Sequence, residues 1–153
     1  MPGFLTKLFG KPVPPKPREP SAEDERVGLA LMVAIEKQLN ALGVQFQQAP
    51  TSGPFVTPDA RGTLIGAAFG VLQGEGIELT QDRIIDTVIA AFVFTYGDPI
   101  GRDLAAETFD AFQAQDPTIL RTSEWARQDM LGVYQSGGNT SFAAYMLAVQ
   151  GMI

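Results

Sequence analysis

The sequence predicts an all-α protein, a single-domain orthogonal or irregular bundle of about six helices carrying a proline-rich N-terminal arm. Apolar residues recur at three- and four-residue spacing, as in Leu31, Ile35, Leu39 and Leu42. Helix-start signatures, a capping side chain followed by proline or acid, recur at Ser21, Thr57, Thr80, Asp98 and Asp116. Period-two alternation is confined to the short Val44–Gln48, VQFQQ. A chain of 153 residues suits one domain, and a domain of that size buries roughly 68–70% of its unfolded surface.

Residues 1–20 read as a basic, proline-rich arm with a short amphipathic tip, and 21–153 as the helical domain. In the tip, Phe4, Leu5, Leu8 and Phe9 stand at helical spacing with Lys7 on another side, a segment too short to be a stable helix alone in water. Pro12, Pro14, Pro15, Pro17 and Pro20 follow, and such a composition favours polyproline II, rising ~3.1 Å per residue.

The first long helix is expected to start at Ser21, with Glu23, Asp24 and Glu25 in its first turn, and to stop near Gly43. Val44–Gln48 is expected as a short extended piece. Pro50, Gly53, Pro54 and Pro58 mark a long loop after it. Thr57-Pro58-Asp59 opens a second helix with glycines at 62, 66, 70 and 74. Thr80 opens the third, in which Val88 to Phe94 has no polar side chain. That helix, Ile84–Tyr96, is expected at the centre of the core, with the pair 57–97 as the scaffold. Asp98-Pro99 opens a fourth helix running to about Gln115. Asp116-Pro117 opens a fifth, with an interruption expected near Thr122-Ser123. After Ser136-Gly137-Gly138, Thr140 or Ser141 is expected to cap a last helix, which is apolar on most sides.

The chain has no histidine and no cysteine. That inventory excludes His/Cys zinc sites, Cys-His and Ser-His-Asp machineries and His-ligated haem. Catalysis would rest on carboxylates, Lys37, a tyrosine or an oxygen-ligated metal, so the reading leans away from an enzyme, and no cofactor is expected. The net charge is −6, which opposes nucleic-acid binding. Its distribution is uneven: residues 1–18 hold four bases and no acid, whereas the remainder holds seven bases against seventeen acids, a balance of −10. No apolar run reaches the ~18–20 residues of a membrane span, and the N-terminus lacks the apolar core of a signal peptide. A cytoplasmic location is the expectation.

Four features qualify as candidate sites. The glycine row at Gly62, Gly66 and Gly70 lies along one shallow groove, to be filled by a helix of the chain, by a second subunit, or by a ligand or acyl chain. In-helix glycines cost about 1 kcal/mol each relative to alanine, so a close approach is the ordinary reason for them. Trp125, the sole tryptophan, falls on the flank of its helix and is either an interface anchor or a lid on the core. Asp103, Glu107 and Asp110 share one helical face. A solvated surface is the ordinary reading, and a Mg²⁺ or Ca²⁺ site the alternative.

The arm tip, Phe4, Leu5, Leu8 and Phe9, is the fourth candidate. The expectation for it is disorder or docking on the chain's own body, then a membrane surface that it would hold weakly, then a partner. The leading expectation is a non-enzymatic, acidic helical adaptor that binds another macromolecule, as a monomer or a homodimer. A peripheral membrane adaptor through residues 2–18, a small apolar-ligand binder and a carboxylate-metal enzyme follow in that order.

Overall fold

The computed structural model describes residues 21–153. Within them the chain forms six α-helices: α1 (Ala22–Ala41), α2 (Pro58–Gly74), α3 (Gln81–Tyr96), α4 (Ile100–Gln113), α5 (Pro117–Gln135) and α6 (Ala144–Val149). A 3-10 turn at Gly53–Val56 precedes α2, and no strand occurs among the described residues. The fold is the all-α bundle the sequence predicts.

Four helix starts are set by the capping residues named above. Ser21 and Asp24 form a reciprocal capping box, each side chain accepting from the other's backbone amide at 3.1 Å. Thr57 accepts from the Ala60 amide at 3.1 Å, and Thr80 from that of Arg83 at 3.3 Å. Asp116 accepts from the amides of Thr118 and Ile119 at 3.0 and 3.1 Å. At the far end of α1, Gly43 takes φ +74°. The Gly43 and Val44 amides then donate to the carbonyls of Asn40 and Leu39, closing a Schellman motif.

The central helix is α2, not α3. The stretch from Gly62 to Ala68 is buried at every residue. Alone among the helices, α2 packs on all five others as well as on the 3-10 turn, and most extensively on α5. In α3, by contrast, Ile84, Ile89, Val93 and Phe94 are half-exposed. An apolar run in one helix marks burial of a broad face. Small residues bring several neighbours close at once, and that property places α2 in the middle.

Four further expectations are corrected. Val44–Gln48 is not extended: Gln47 takes φ +65°, and the Gln47 and Ala49 amides donate to the carbonyls of Phe94 and Thr95 at the end of α3. The alternation therefore reflects docking on a helix terminus, with the rings of Phe46 and Phe94 5.5 Å apart. Second, α4 begins at Ile100 with no side-chain cap, after a cis Asp98–Pro99 bond.

Third, α5 runs unbroken through Thr122 and Ser123. Their hydroxyls fold back on the carbonyls of Thr118 and Leu120, at 2.9 and 3.0 Å, so neither competes with the helix. Fourth, neither Thr140 nor Ser141 caps α6. Asp129 of α5 does, its carboxylate accepting from the amides of Ala143 and Ala144 at 2.9 and 3.1 Å. Gln38 of α1 accepts from the Met146 amide at 2.9 Å and ties α6 to the opposite side.

Candidate functional site

The glycine row is a closed seam. A Cβ on Gly62 would lie 1.9 Å from Oγ1 of Thr122, and one on Gly66 would lie 2.1 Å from the Ser123 carbonyl oxygen. At Gly70 it would meet Met130 at 2.6 Å, and at Gly74 the Tyr134 ring at 2.3 Å. Every partner belongs to α5. The groove that the sequence leaves open to helix, twin or ligand is occupied by the chain's own fifth helix, so these glycines present no surface to a ligand.

The other candidates lie apart from that seam. Trp125 is half-buried against the core and shares a shallow surface depression of about 310 Å³ with Arg121, Thr122 and Ile153. Asp103 and Glu107 are exposed on α4, and Glu107 faces Arg61 at 4.0 Å. Among the described residues no group of three or more acids is clustered closely enough to hold a metal ion. Phe4, Leu5, Leu8 and Phe9 lie outside the described residues, as does the segment 2–18 on which a membrane reading rests. No helix among the described residues is long and apolar enough to cross a membrane.

Two further features were not singled out from sequence. The first is a buried tyrosine pair. The Tyr96 hydroxyl donates to the Phe55 carbonyl, while the Tyr145 hydroxyl lies 3.0 Å from that oxygen and 3.2 Å from the Tyr96 oxygen. Together they pin the 3-10 turn to the core. Arg61 braces the same turn, its Nε donating to the Val56 carbonyl at 2.9 Å and its terminal nitrogen to Thr108 at 3.0 Å. Burial pushes the Tyr96 phenol up to about 12, against the opposing hydrogen bond from Tyr145 and the charge of Arg61. Burial, and then the neighbouring Tyr96, push the Tyr145 phenol further up. Both are thus neutral structural clasps at ordinary pH.

The second is an apolar groove between α1 and α5. Ala30, Val33, Ala34 and Lys37 of α1 form one wall. Met130, Val133 and Tyr134 of α5, with Phe142 beyond it, form the other, around a space of about 180 Å³. Val33 on its lip is 41% exposed, and Leu29, one turn earlier, is 59% exposed. Arg26 and Glu75, paired at 3.2 Å, join α1 to the end of α2. Burial and Glu75 hold the Tyr134 phenol protonated well past its usual range. Leu29 and Val33 could have been found in the sequence, since they lie one turn apart and off the Leu31, Ile35, Leu39 stripe.

No protein-family model, curated protein or solved structure matches the chain.

Proposed function

We propose that the domain is a non-enzymatic protein-binding module, an adaptor of the cytosol, that docks a partner on the face made by α1 and α5. The observation that carries this reading is the pair Leu29 and Val33, standing in solvent one turn apart beside an apolar groove. Single exposed aliphatics are ordinary on a protein surface. Two on one helical stripe, adjoining a groove walled by Val133 and Phe142, form a patch of the kind that binds other proteins. The chemistry of the face selects a partner that inserts apolar side chains, with an acceptor or acid for Lys37 at the groove wall. The acidic body beyond it favours a partner basic around its contact edge. A second copy of the chain is the alternative occupant that would make it a homodimer.

The test compares wild-type protein with the Leu29→Asp/Val33→Asp variant as bait in the lysate of the producing cells. The proposal expects the variant to melt close to wild type and to lose the specifically captured species. An identical captured set from both baits would contradict it.

A further inference from the structure

We propose that the exposed face of α1 is a self-recognition surface on which two copies of the chain pair antiparallel, as a two-fold homodimer. This inference rests on the reading of Leu29 and Val33 as a docking face and names what docks there.

The pattern follows from the helix period. Between Glu25 and Lys37 the exposed residues of α1 are Glu25, Arg26, Leu29, Val33, Glu36 and Lys37. At 3.6 residues per turn these six lie within about 120° of one another. Exposed Ala22 and Asn40 extend the face at its two ends. Its centre then runs Ala22, Arg26, Leu29, Val33, Glu36, Asn40, in alternating steps of four and three, the spacing of a coiled-coil seam. That order of steps reads the same from either end. A second α1 running in the opposite direction therefore meets it layer for layer. Leu29 comes against Val33 of the second copy, Arg26 against its Glu36, and Ala22 against its Asn40.

Charge selects the antiparallel direction. With two α1 helices parallel, Arg26 would face Arg26 and Glu36 would face Glu36. Antiparallel, each of these bases faces an acid, and Lys37 comes level with the acidic first turn, Glu23 and Glu25, of the second copy. Like charges set against each other across an interface are costly, so the stripe specifies the direction of pairing. Between Glu25 and Lys37 the exposed residues include two acids and two bases, a locally neutral face on a chain of net charge −6.

The ion pairs within the chain point the same way. Among the described residues every arginine has a carboxylate within 4.0 Å. Lys37, Glu25 and Glu36 of this face make no ion pair with the described residues. Arg26 is held by Glu75 through Nε at 3.2 Å, which leaves its terminal nitrogens for a second carboxylate. Leu29 and Val33 form the apolar layers at the centre of the contact, and the exposed ion pairs beside them set orientation more than affinity. One helix face per copy is at the small end of specific interfaces, so the dimer exchanges with monomer.

Sedimentation equilibrium of the full chain is expected to show dimer growing with concentration, and Leu29→Asp/Val33→Asp to remain monomeric. Glu36→Arg alone and Arg26→Glu alone should each weaken self-association by about tenfold or more, because like charges then face each other in both symmetric layers. Mixing these two single variants should restore it, since each layer again joins a base to an acid. The chain has no cysteine, so direction can be read from introduced disulfides. Ala22→Cys mixed with Asn40→Cys should form an interchain bond under mild oxidation. Ala22→Cys alone should not, its two copies lying about 27 Å apart along the helices. The cysteine variants keep the Arg26–Glu75 pair, so they decide the matter even where Arg26→Glu disturbs the fold.

Wild type that stays monomeric, self-association that survives Leu29→Asp/Val33→Asp, or a disulfide in Ala22→Cys alone would each overturn the inference. So would folded charge variants that associate no better mixed than singly. The lysate comparison fails separately. Monomeric wild type whose capture of another protein is lost with Leu29→Asp/Val33→Asp sinks this inference alone. An antiparallel dimer whose captured proteins are unchanged by that variant sinks the reading of a foreign partner alone.

Discussion

Two sides of α5, one closed on α2 and one turned to the groove it shares with α1, are built in opposite ways. Toward α2, glycines at 62, 66, 70 and 74 let the backbones close until a single methyl group would collide with the partner. Toward α1, the facing residues are Ala30, Val33 and Ala34 against Val133, with a gap of about 180 Å³ left between them. The first interface spends helix propensity, about 1 kcal/mol per glycine, on close approach. The second leaves two large aliphatic side chains in water. A seam packed to that depth holds the domain together, and a gap with an apolar lip is where another chain can be held.

The largest expected effect breaks the closed side. Gly66→Ala places its Cβ 2.1 Å from the backbone carbonyl oxygen of Ser123 and 2.7 Å from the Ala126 methyl. Backbone cannot rotate away as a side chain can, so the two helices must separate. We expect a loss of about 3 kcal/mol or more in urea-induced unfolding. A loss below 1 kcal/mol would show that the seam is looser than its geometry.

Alkaline pH gives the next effect. Tyr96 titrates near 12 when folded and near 10 when unfolded, so the folded state retains its proton over the interval in which the unfolded state releases it. The stabilisation is complete below pH 10 and is lost as pH rises toward 12, about 2–3 kcal/mol from Tyr96 alone. Tyr145, shifted the same way, adds to the slope. Unfolding free energy should fall steeply over that window in wild type, and less steeply than wild type in Tyr96→Phe/Tyr145→Phe.

Alanine at glycines with open space should act in the opposite direction to Gly66→Ala. Nothing lies within 4 Å of a Cβ added to Gly28 of α1 or Gly132 of α5. Each substitution to alanine should stabilise by up to about 1 kcal/mol through helix propensity. If both destabilise, position in the helix outweighs the contact geometry, and the contrast drawn between the two sides of α5 weakens.

The smallest effect concerns Glu124, held down to about 2 by the Arg127 guanidinium at 2.5 Å and then by Gln128. Because its folded value is depressed, its contribution is present above about 4.5 and is lost as pH falls toward 2. The pair is largely exposed, and solvent screening limits it to about 0.5 kcal/mol. Glu124→Gln should therefore change stability at neutral pH by no more than that.

The helix ends were legible because capping is local. Ser21, Thr57, Thr80 and Asp116 each accept from amides two or three residues ahead, well inside what a linear reading spans. Two of the misreadings involve partners distant in the chain. Asp129 caps a helix that starts 15 residues later, and Gln47 and Ala49 serve a helix end more than forty residues away. The glycine row was visible as a close-approach signal, but which element approaches is a question of topology. The α1–α5 groove was invisible for the same reason. Only Leu29 and Val33, displaced from their helix's apolar stripe, hinted at it.

The claim that the open side of α5 is the working face is tested most directly by a photo-crosslinking residue placed at Val33, and separately at Glu107, in the cells that make the protein. The account predicts higher-mass adducts at position 33 and none at 107, which lies exposed on α4 beside Arg61. Adducts equally abundant at both positions, or none at 33, would contradict it.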